Sequence, residues 1–292
     1  MLLRPDQALI RRRIFQIERL AAMPQVVWQL VEALGDDRTD AARLEKLIEG
    51  DPALASKVLR LANSVYYGLA QKITTIRRAI VIIGFQELEL LAVGAGLAEI
   101  FDLNKVPRGF DGQGLWTHSL AVSWVARELA EAVRHPIPGE VMVAGLLHDL
   151  GKLVLATHLV EELTAILEET RSGAPYHLVE EELGLRHTTI GYWLASRWGL
   201  PEVHLSAIRH HHSLPANDPY LNSTCLVAQA DVMVKDLAFG LVQTSAPVNQ
   251  DLIFEATHLT RDHLLLVSKK AEGQVPVMLE AWQRGWGGDG EA

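Results

Sequence analysis

At 292 residues, 49% of them hydrophobic and 22% charged, the chain has the composition of a folded globular protein with ample core, which excludes a disordered one. A formal charge of -9 excludes a protein that coats nucleic acid, which needs a basic surface to displace counterions, but leaves room for a small anion in one positive pocket. The single cysteine, Cys225, excludes an intramolecular disulfide; with no apolar leader after Met1-Leu2-Leu3-Arg4, the sequence predicts a soluble, cytoplasmic protein.

The first third reads as helices with clear punctuation. Arg11-Arg12-Arg13 suits the solvated face of a terminal helix. Pro24 to Leu34 carries apolar residues at helical spacing and stops at Gly35, and Leu44, Leu47 and Ile48 repeat the pattern before Gly50. Asp51-Pro52 is a start signal, an N-cap carboxylate followed by a proline whose missing N–H costs nothing there. The helix it opens turns Leu54, Val58, Leu59 and Leu61 inward and ends at Asn63-Ser64-Val65-Tyr66-Tyr67-Gly68, where Asn63 caps backbone groups and the tyrosines bury their rings. Helices over 76–83 and 87–101 follow, hinged at Gly84. The most apolar stretch, 79–100, contains Glu87, Glu89 and Glu99 and is a buried helix pair rather than a membrane span.

Lys105 to Gly114, rich in glycine and charge, is a connector. Beyond it the pattern predicts helices over 116–132, 140–155, 159–169, 178–183, 188–198, 201–212 and 221–237, then a turn at Ser245-Ala246-Pro247, a helix over 262–271 and a loose tail from Gly285 to Gly290. Period-2 alternation is almost absent. The fold class is all-α, divided into an N-terminal helical subdomain over 1–104, a second helical subdomain over 105–238, and a C-terminal helical extension with its tail over 239–292.

Chemistry concentrates in the apolar helix around Leu146-Leu147-His148-Asp149-Leu150-Gly151-Lys152. Burying an imidazole and a carboxylate there is costly without a partner, and a divalent metal suits that pair of donors. Lys152 lies on nearly the same side as Asp149, placed to meet an anion beside such an ion. Further donors come from other helices: His118, His187, the pair His211 and His212, and Asp231. Each has a plainer reading. His118 and His187 sit where helices begin and could cap them, and His210-His211-His212 could be a solvated helix end, with His210 outward. Asp231 interrupts an apolar face and needs a buried partner, either a metal or Lys152. The remaining histidines, at 135, 158, 177, 204, 258 and 263, read as surface or core residues.

The order His118, His148-Asp149, Asp231 resembles the HD superfamily of metal-dependent phosphohydrolases. With Asp51-Pro52-Ala53-Leu54, Leu61-Ala62-Asn63-Ser64-Val65-Tyr66-Tyr67-Gly68 and Trp198-Gly199-Leu200-Pro201, the match narrows to the HDOD family, the "HD-related output domain" of bacterial signalling proteins, over roughly 17–212. The resemblance implies an N-terminal helical subdomain packed on an HD-type helical bundle. It also implies one or two divalent ions (iron, manganese, zinc or nickel). One would be held by His118, His148, Asp149 and Asp231, the other by Asp149, His187, His211 and His212, with Asp149 bridging and Lys152 helping to bind phosphate. As function it implies a signal-transduction output module acting through contacts with a signalling protein partner. The alternative is a metal-dependent phosphohydrolase acting on a nucleotide or cyclic nucleotide. The acidic-Gly-Tyr-Pro motif of the HD-GYP phosphodiesterases is missing after the paired histidines, so the likeness does not extend to cyclic di-GMP cleavage. No nucleic-acid or membrane partner is implied.

Overall fold

The computed structural model describes residues 6–20, 22–34, 38–241, 243 and 247–286. Among them every regular element is helical and none is a strand, as the 3.6-residue periodicity requires. Gly35, Ser245-Ala246 and the tail beyond Trp286 lie outside the described residues. Contacts gather the chain into two compact units, Met1–Ala22 with Ile100–Ser268, and Met23–Glu99 with Lys269–Ala292. The units are interleaved along the chain, where the sequence suggested three successive stretches divided near 104 and 238. Hydrophobic periodicity shows which face of a helix is apolar but not which distant core receives it.

α1 (Gln7–Gln16) starts from an Asp6 cap and belongs to the larger unit. The smaller unit begins with α2 (Gln25–Leu34), α3 (Ala41–Glu49) and α4 (Pro52–Ala62). The Asp51 carboxylate accepts from the Leu54 N–H at 3.0 Å with Pro52 in the first turn, as the start signal requires. Leu54, Val58 and Leu61 are buried, whereas Leu59, expected inward, is only half-buried at the edge of that stripe. Asn63 closes the helix by donating to the carbonyls of Leu59 and Ile73 and accepting from the Ile73 N–H. Gly68 takes a left-handed turn (φ 59°), and Gly84 (φ 83°) separates α5 (Ile76–Ile83) from α6 (Phe85–Ile100).

The larger unit continues through α7 (Gly112–Ala132), α8 (Pro138–Leu147), α9 (Leu150–His158), α10 (Val160–Thr170), α11 (Tyr176–Leu183), α12 (His187–Arg197), α13 (Glu202–His210), α14 (Leu221–Asp236) and α15 (Gln250–Thr257). α7 starts at Gly112 rather than Trp116, because the Asp111 carboxylate caps it by accepting from the Gly114 N–H at 2.7 Å. His118 therefore lies in the second turn, too deep to be a cap. The single helix expected over 140–155 is two, broken at His148-Asp149. α15 was not anticipated. α16 (Arg261–Trp286) runs well past 271, takes in Gly285 and Trp286 that read as tail, and accommodates Pro276 in its interior.

No single helix among the described residues is long and apolar enough to cross a membrane. Two helix pairs that meet the length and composition together, 76–83 with 85–100 and 138–158 with 160–170, bend by 108° and 105°.

Candidate metal centre

The break between α8 and α9 puts a His-Asp pair in the middle of a core. α8 packs on α7 and α9 packs on α12, and glycines flank the pair where the backbones approach most closely. A Cβ on Gly145 would lie 2.9 Å from the Ser123 Cα, and one on Gly151 would lie 2.8 Å from the Gly191 nitrogen and closer still to the His187 carbonyl. Small residues at both points bring His118 of α7 and His187 of α12 to the same place from opposite sides.

All the donors singled out in the sequence converge there. Asp149 is at the centre. Its Oδ2 lies 3.3 Å from His148 Nε2 and 3.9 Å from His118 Nε2; its Oδ1 lies 3.3 Å from His187 Nε2 and 3.9 Å from His211 Nε2. Asp231 enters on the Oδ2 side, its Oδ1 3.0 Å from His118 Nε2 and 3.8 Å from His148 Nε2. On the other side the His211 and His212 rings are 4.0 Å apart and His187 is 5.3 Å from His212. Two groups of three have donor atoms within 4.8 Å of one another: His118, His148 and Asp149, and His187, His211 and His212. His118, His148, Asp149, Lys152, His187, His211 and Asp231 are each 0–4% exposed, and only His212 is half-buried. His210 turns away toward the Ser213 hydroxyl and is half-buried rather than fully outward.

The outer nitrogens are held so that the inner ones can donate lone pairs. His148 Nδ1–H donates to the Gly145 carbonyl at 2.7 Å and His211 Nδ1–H to the Ala207 carbonyl at 2.9 Å, both within their own helical turns. His187 Nδ1–H donates to Glu180 Oε2 at 2.6 Å. In each case the proton sits on Nδ1 and Nε2 faces Asp149, the arrangement that orients metal-ligating histidines. Sequence reasoning missed Glu180, which is buried on α11. It also missed Lys235, one helical turn beyond Asp231, whose ammonium donates to Asp231 Oδ2 at 2.6 Å. Lys235 is thus the close lysine partner of Asp231, the place left open for Lys152; Lys152 donates to Asp149 Oδ2 at 2.8 Å. Glu180 lies in a run of three glutamates that looks solvated, and only its i, i+4 relation to Tyr176 signalled an inward face.

Electrostatics match this arrangement. Burial would raise the Asp149 carboxyl, but His148, Lys152 and His187 around it hold it well below the usual carboxylate range. Burial works the same way on Asp231, and Lys235 and His118 overcome it. Burial lowers His118 despite Asp231, and burial with the neighbouring imidazoles lowers His211 strongly and His212 to about 2. Burial would lower Lys152, but Asp149 outweighs it and keeps the ammonium charged. Ionised Asp149 and Asp231 thus sit among imidazoles, of which His118, His211 and His212 resist protonation, a donor set that binds divalent cations.

A fit test comes from the polar atoms left over. His118 Nδ1 and Nε2, His148 Nε2, Asp149 Oδ1, Asp231 Oδ1 and His212 Nδ1 are buried without a hydrogen-bond partner. Each such atom costs about 1–3 kcal/mol when unsatisfied, and His148 Nε2, whose proton is on Nδ1, and Asp149 Oδ1 are acceptors with no donor between them. A cation between them removes that cost, so the residues fit a metal ion.

A sequence model described as "HDOD domain" matches residues 20–214, two thirds of the chain. An uncharacterized protein of Treponema pallidum (strain Nichols) is 26% identical over 226 residues, covering 76% of this chain and 43% of that protein; this chain thus spans less than half the length of that relative. The crystal structure of an HDOD domain protein of unknown function from Geobacter sulfurreducens superposes with a TM-score of 0.79 at 24% identity, covering 95% of this chain and 97% of that one. The crystal structure of a candidate phosphohydrolase from Shewanella amazonensis SB2B superposes with a TM-score of 0.72 at 23% identity, covering 96% and 100%. These likenesses show the fold.

Proposed function

This chain belongs to the HDOD domain family, and on that premise we propose that it is a bacterial signal-transduction module whose core is a two-ion metal centre that hydrolyses a phosphate ester. One observation carries the reading: the two oxygens of Asp149 face two separate donor sets, His118, His148 and Asp231 on one side and His187 and His211 on the other. A structural metal site needs one set of ligands, whereas a shared carboxylate is the device by which two ions are held for hydrolysis. In that centre His118, His148, Asp149 and Asp231 hold one divalent ion, and Asp149, His187, His211 and His212 the other. When bound, such ions polarise a phosphoryl oxygen and lower the pKa of water.

The chain's own groups supply the rest. Lys152 is 3% exposed, charged, and already beside Asp149, so it meets the negative charge of a phosphoryl group in a dry site. Lys235 neutralises Asp231 from the outer side. Glu180 fixes the proton on His187 Nδ1, and the Tyr176 ring lies 5.8 Å from the Lys152 ammonium. Half-buried His212 marks the side on which the cluster is least covered. The solved relative described as a candidate phosphohydrolase supports the reading, and the ligand class proposed is a nucleotide or cyclic nucleotide.

A second reading has its own observation. Seven of the eight groups are no more than 4% exposed, which suits a closed, metal-loaded core that sets the conformation of an output module acting on a signalling protein without turnover. Metal analysis of protein purified without chelator, followed by hydrolysis assays on a chromogenic phosphodiester and on nucleotides, separates the two. Two ions per chain with turnover abolished in Asp149→Ala supports hydrolysis. Two ions without turnover on any substrate supports the closed core. Protein that takes up no divalent ion overturns both.

A further inference from the structure

One run that stands out in the sequence, Arg11-Arg12-Arg13, is not used by the metal centre, and the structure divides it. Arg13 pairs with Glu162. Arg11 and Arg12 are exposed and meet no carboxylate among the described residues. Both line an open cleft of about 560 Å³ on the larger unit, with Gln7, Ala8 and Phe15 of α1 and Trp193 of α12. Among the described residues no acidic side chain lines it. Ala8, Arg11, Arg12 and Phe15 share one face of α1, at i, i+3, i+4 and i+7, while Ile10 and Ile14 are buried in the core. The Arg11 guanidinium lies 5.4 Å from the centre of the Phe15 ring. That of Arg197, which also donates to the Ile14 carbonyl at 3.1 Å, lies 5.4 Å away as well. Phe15 is nevertheless 38% exposed, and Trp193 is half-buried. Holding an exposed ring between two cations fixes it before anything binds, which lowers the ordering cost of association.

Two uncompensated cations call for an anion, and the rings beside them for an apolar group attached to it. Free phosphate would leave the rings unused. Nucleic acid and an anionic membrane are extended polyanions, which the chain's formal charge of -9 repels beyond the patch. The apolar side that a helix lays into a bilayer is, in α1, already packed in the core through Ile10 and Ile14. From Ala8 to Phe15 the cleft follows about 10 Å of helix, the length of about three extended residues. Arginine and aromatic side chains are also the types that anchor protein contacts. We propose that this cleft docks a short acidic segment of a partner protein, two carboxylates around one apolar side chain, with the carboxylates on Arg11 and Arg12 and the apolar group against Phe15 and Trp193. The proposal rests on the output-module reading for the existence of a protein partner, and not on turnover at the metal centre.

The test titrates the full chain with acetyl-Glu-Leu-Glu-amide, acetyl-Gln-Leu-Gln-amide and acetyl-Glu-Gly-Glu-amide, following the NMR signal of the Trp193 indole N–H. The first peptide shifts that signal saturably. The glutamine peptide binds about tenfold more weakly, having lost two exposed ion pairs, and the glycine peptide about three- to tenfold more weakly, having lost its apolar group. Arg11→Gln and Arg12→Gln each weaken the first peptide about two- to fivefold and together about tenfold, with the fold intact by circular dichroism. Arg261→Gln, at an exposed arginine outside the cleft, changes it by less than about twofold. Phe15→Ser removes the advantage of leucine over glycine. Equal binding of the glutamate and glutamine peptides, binding indifferent to the double arginine variant, or no saturable shift overturns the proposal. So does inorganic phosphate at the affinity of the first peptide, or an oligothymidylate or phosphatidylserine vesicle that binds more tightly and loses its hold in the double variant. Metal content is measured in every variant and stays unchanged, so failure here is distinct from failure of the metal centre.

Discussion

Gly151→Ala tests the geometry behind the centre without touching a ligand. α9 and α12 approach so closely at this point that an alanine Cβ would lie 2.6 Å from the His187 carbonyl carbon and 2.8 Å from the Gly191 nitrogen, with the His187 carbonyl oxygen nearer still. Ordinary contact begins at 3.4 Å. The obstacles are backbone atoms of a packed helix, so no side chain can swing aside. The carbonyl oxygen sets the requirement, so the helices must part by roughly 1.5 Å, and overpacking of this kind costs about 1–3 kcal/mol, with this site at the upper end. For a unit of this size that lowers Tm by about 6–12 °C. His187 travels with the displaced backbone, and its 3.3 Å approach to Asp149 opens accordingly. Metal affinity on that side then falls about 10–100-fold, as when a ligand's support is disturbed. Differential scanning calorimetry of chelated protein reads the first effect and competitive metal titration the second. A variant with unchanged Tm and metal affinity would refute the close helix contact and the account of how His187 is placed.

Asp149→Asn should leave a folded chain with fewer than one ion per molecule by elemental analysis, because both donor sets lose the shared carboxylate; retention of two ions would count against bridging. Glu180→Gln removes the anionic acceptor on His187 Nδ1 and should weaken metal binding about 10–100-fold while leaving Tm of the chelated protein within a few degrees. Buried His204, outside the cluster, has its pKa lowered by burial from 6.5 to about 4. The unfolded chain therefore binds a proton that the folded chain refuses between those pH values, so the stability it contributes is intact above pH 6.5 and lost as pH falls to about 4, on the order of 3 kcal/mol in all. Urea denaturation of His204→Phe should show a shallower decline over that window, and an unchanged slope would reject the assignment. Chelator should lower Tm of the wild-type chain in proportion to the fall in the logarithm of the free metal concentration, as calorimetry across a chelator series would read.

Much of this protein is written locally. Asp51-Pro52 and the left-handed Gly68 are signals whose chemistry acts within one turn, and helix existence with most boundaries followed from such punctuation and from periodicity. The list of donors from His118 to Asp231 was likewise legible, because an imidazole or carboxylate in an apolar helix stands out against its neighbours. Where a signal was read too weakly, as with Gly112 and Gly114 taken for connector instead of a capped helix start, a local hydrogen bond explained the difference. The break at His148-Asp149 was not visible, since nothing in an apolar run with helical periodicity marks two residues that leave the helix.

Only the folded chain decided how the donors divide. The pairing of Lys235 with Asp231 is a local i, i+4 contact on α14, and the burial of Glu180 against His187 joins two consecutive helices. Which oxygen of Asp149 faces which imidazoles depends instead on helices distant in sequence meeting in space. The same holds for the two interleaved units, in which residues from both ends of the chain complete cores begun elsewhere. Periodicity and capping are short-range forces, and they specify segments. Burial and ion pairing act between segments, and their outcome is settled only when the backbones touch, here at the glycines on either side of one histidine and one aspartate.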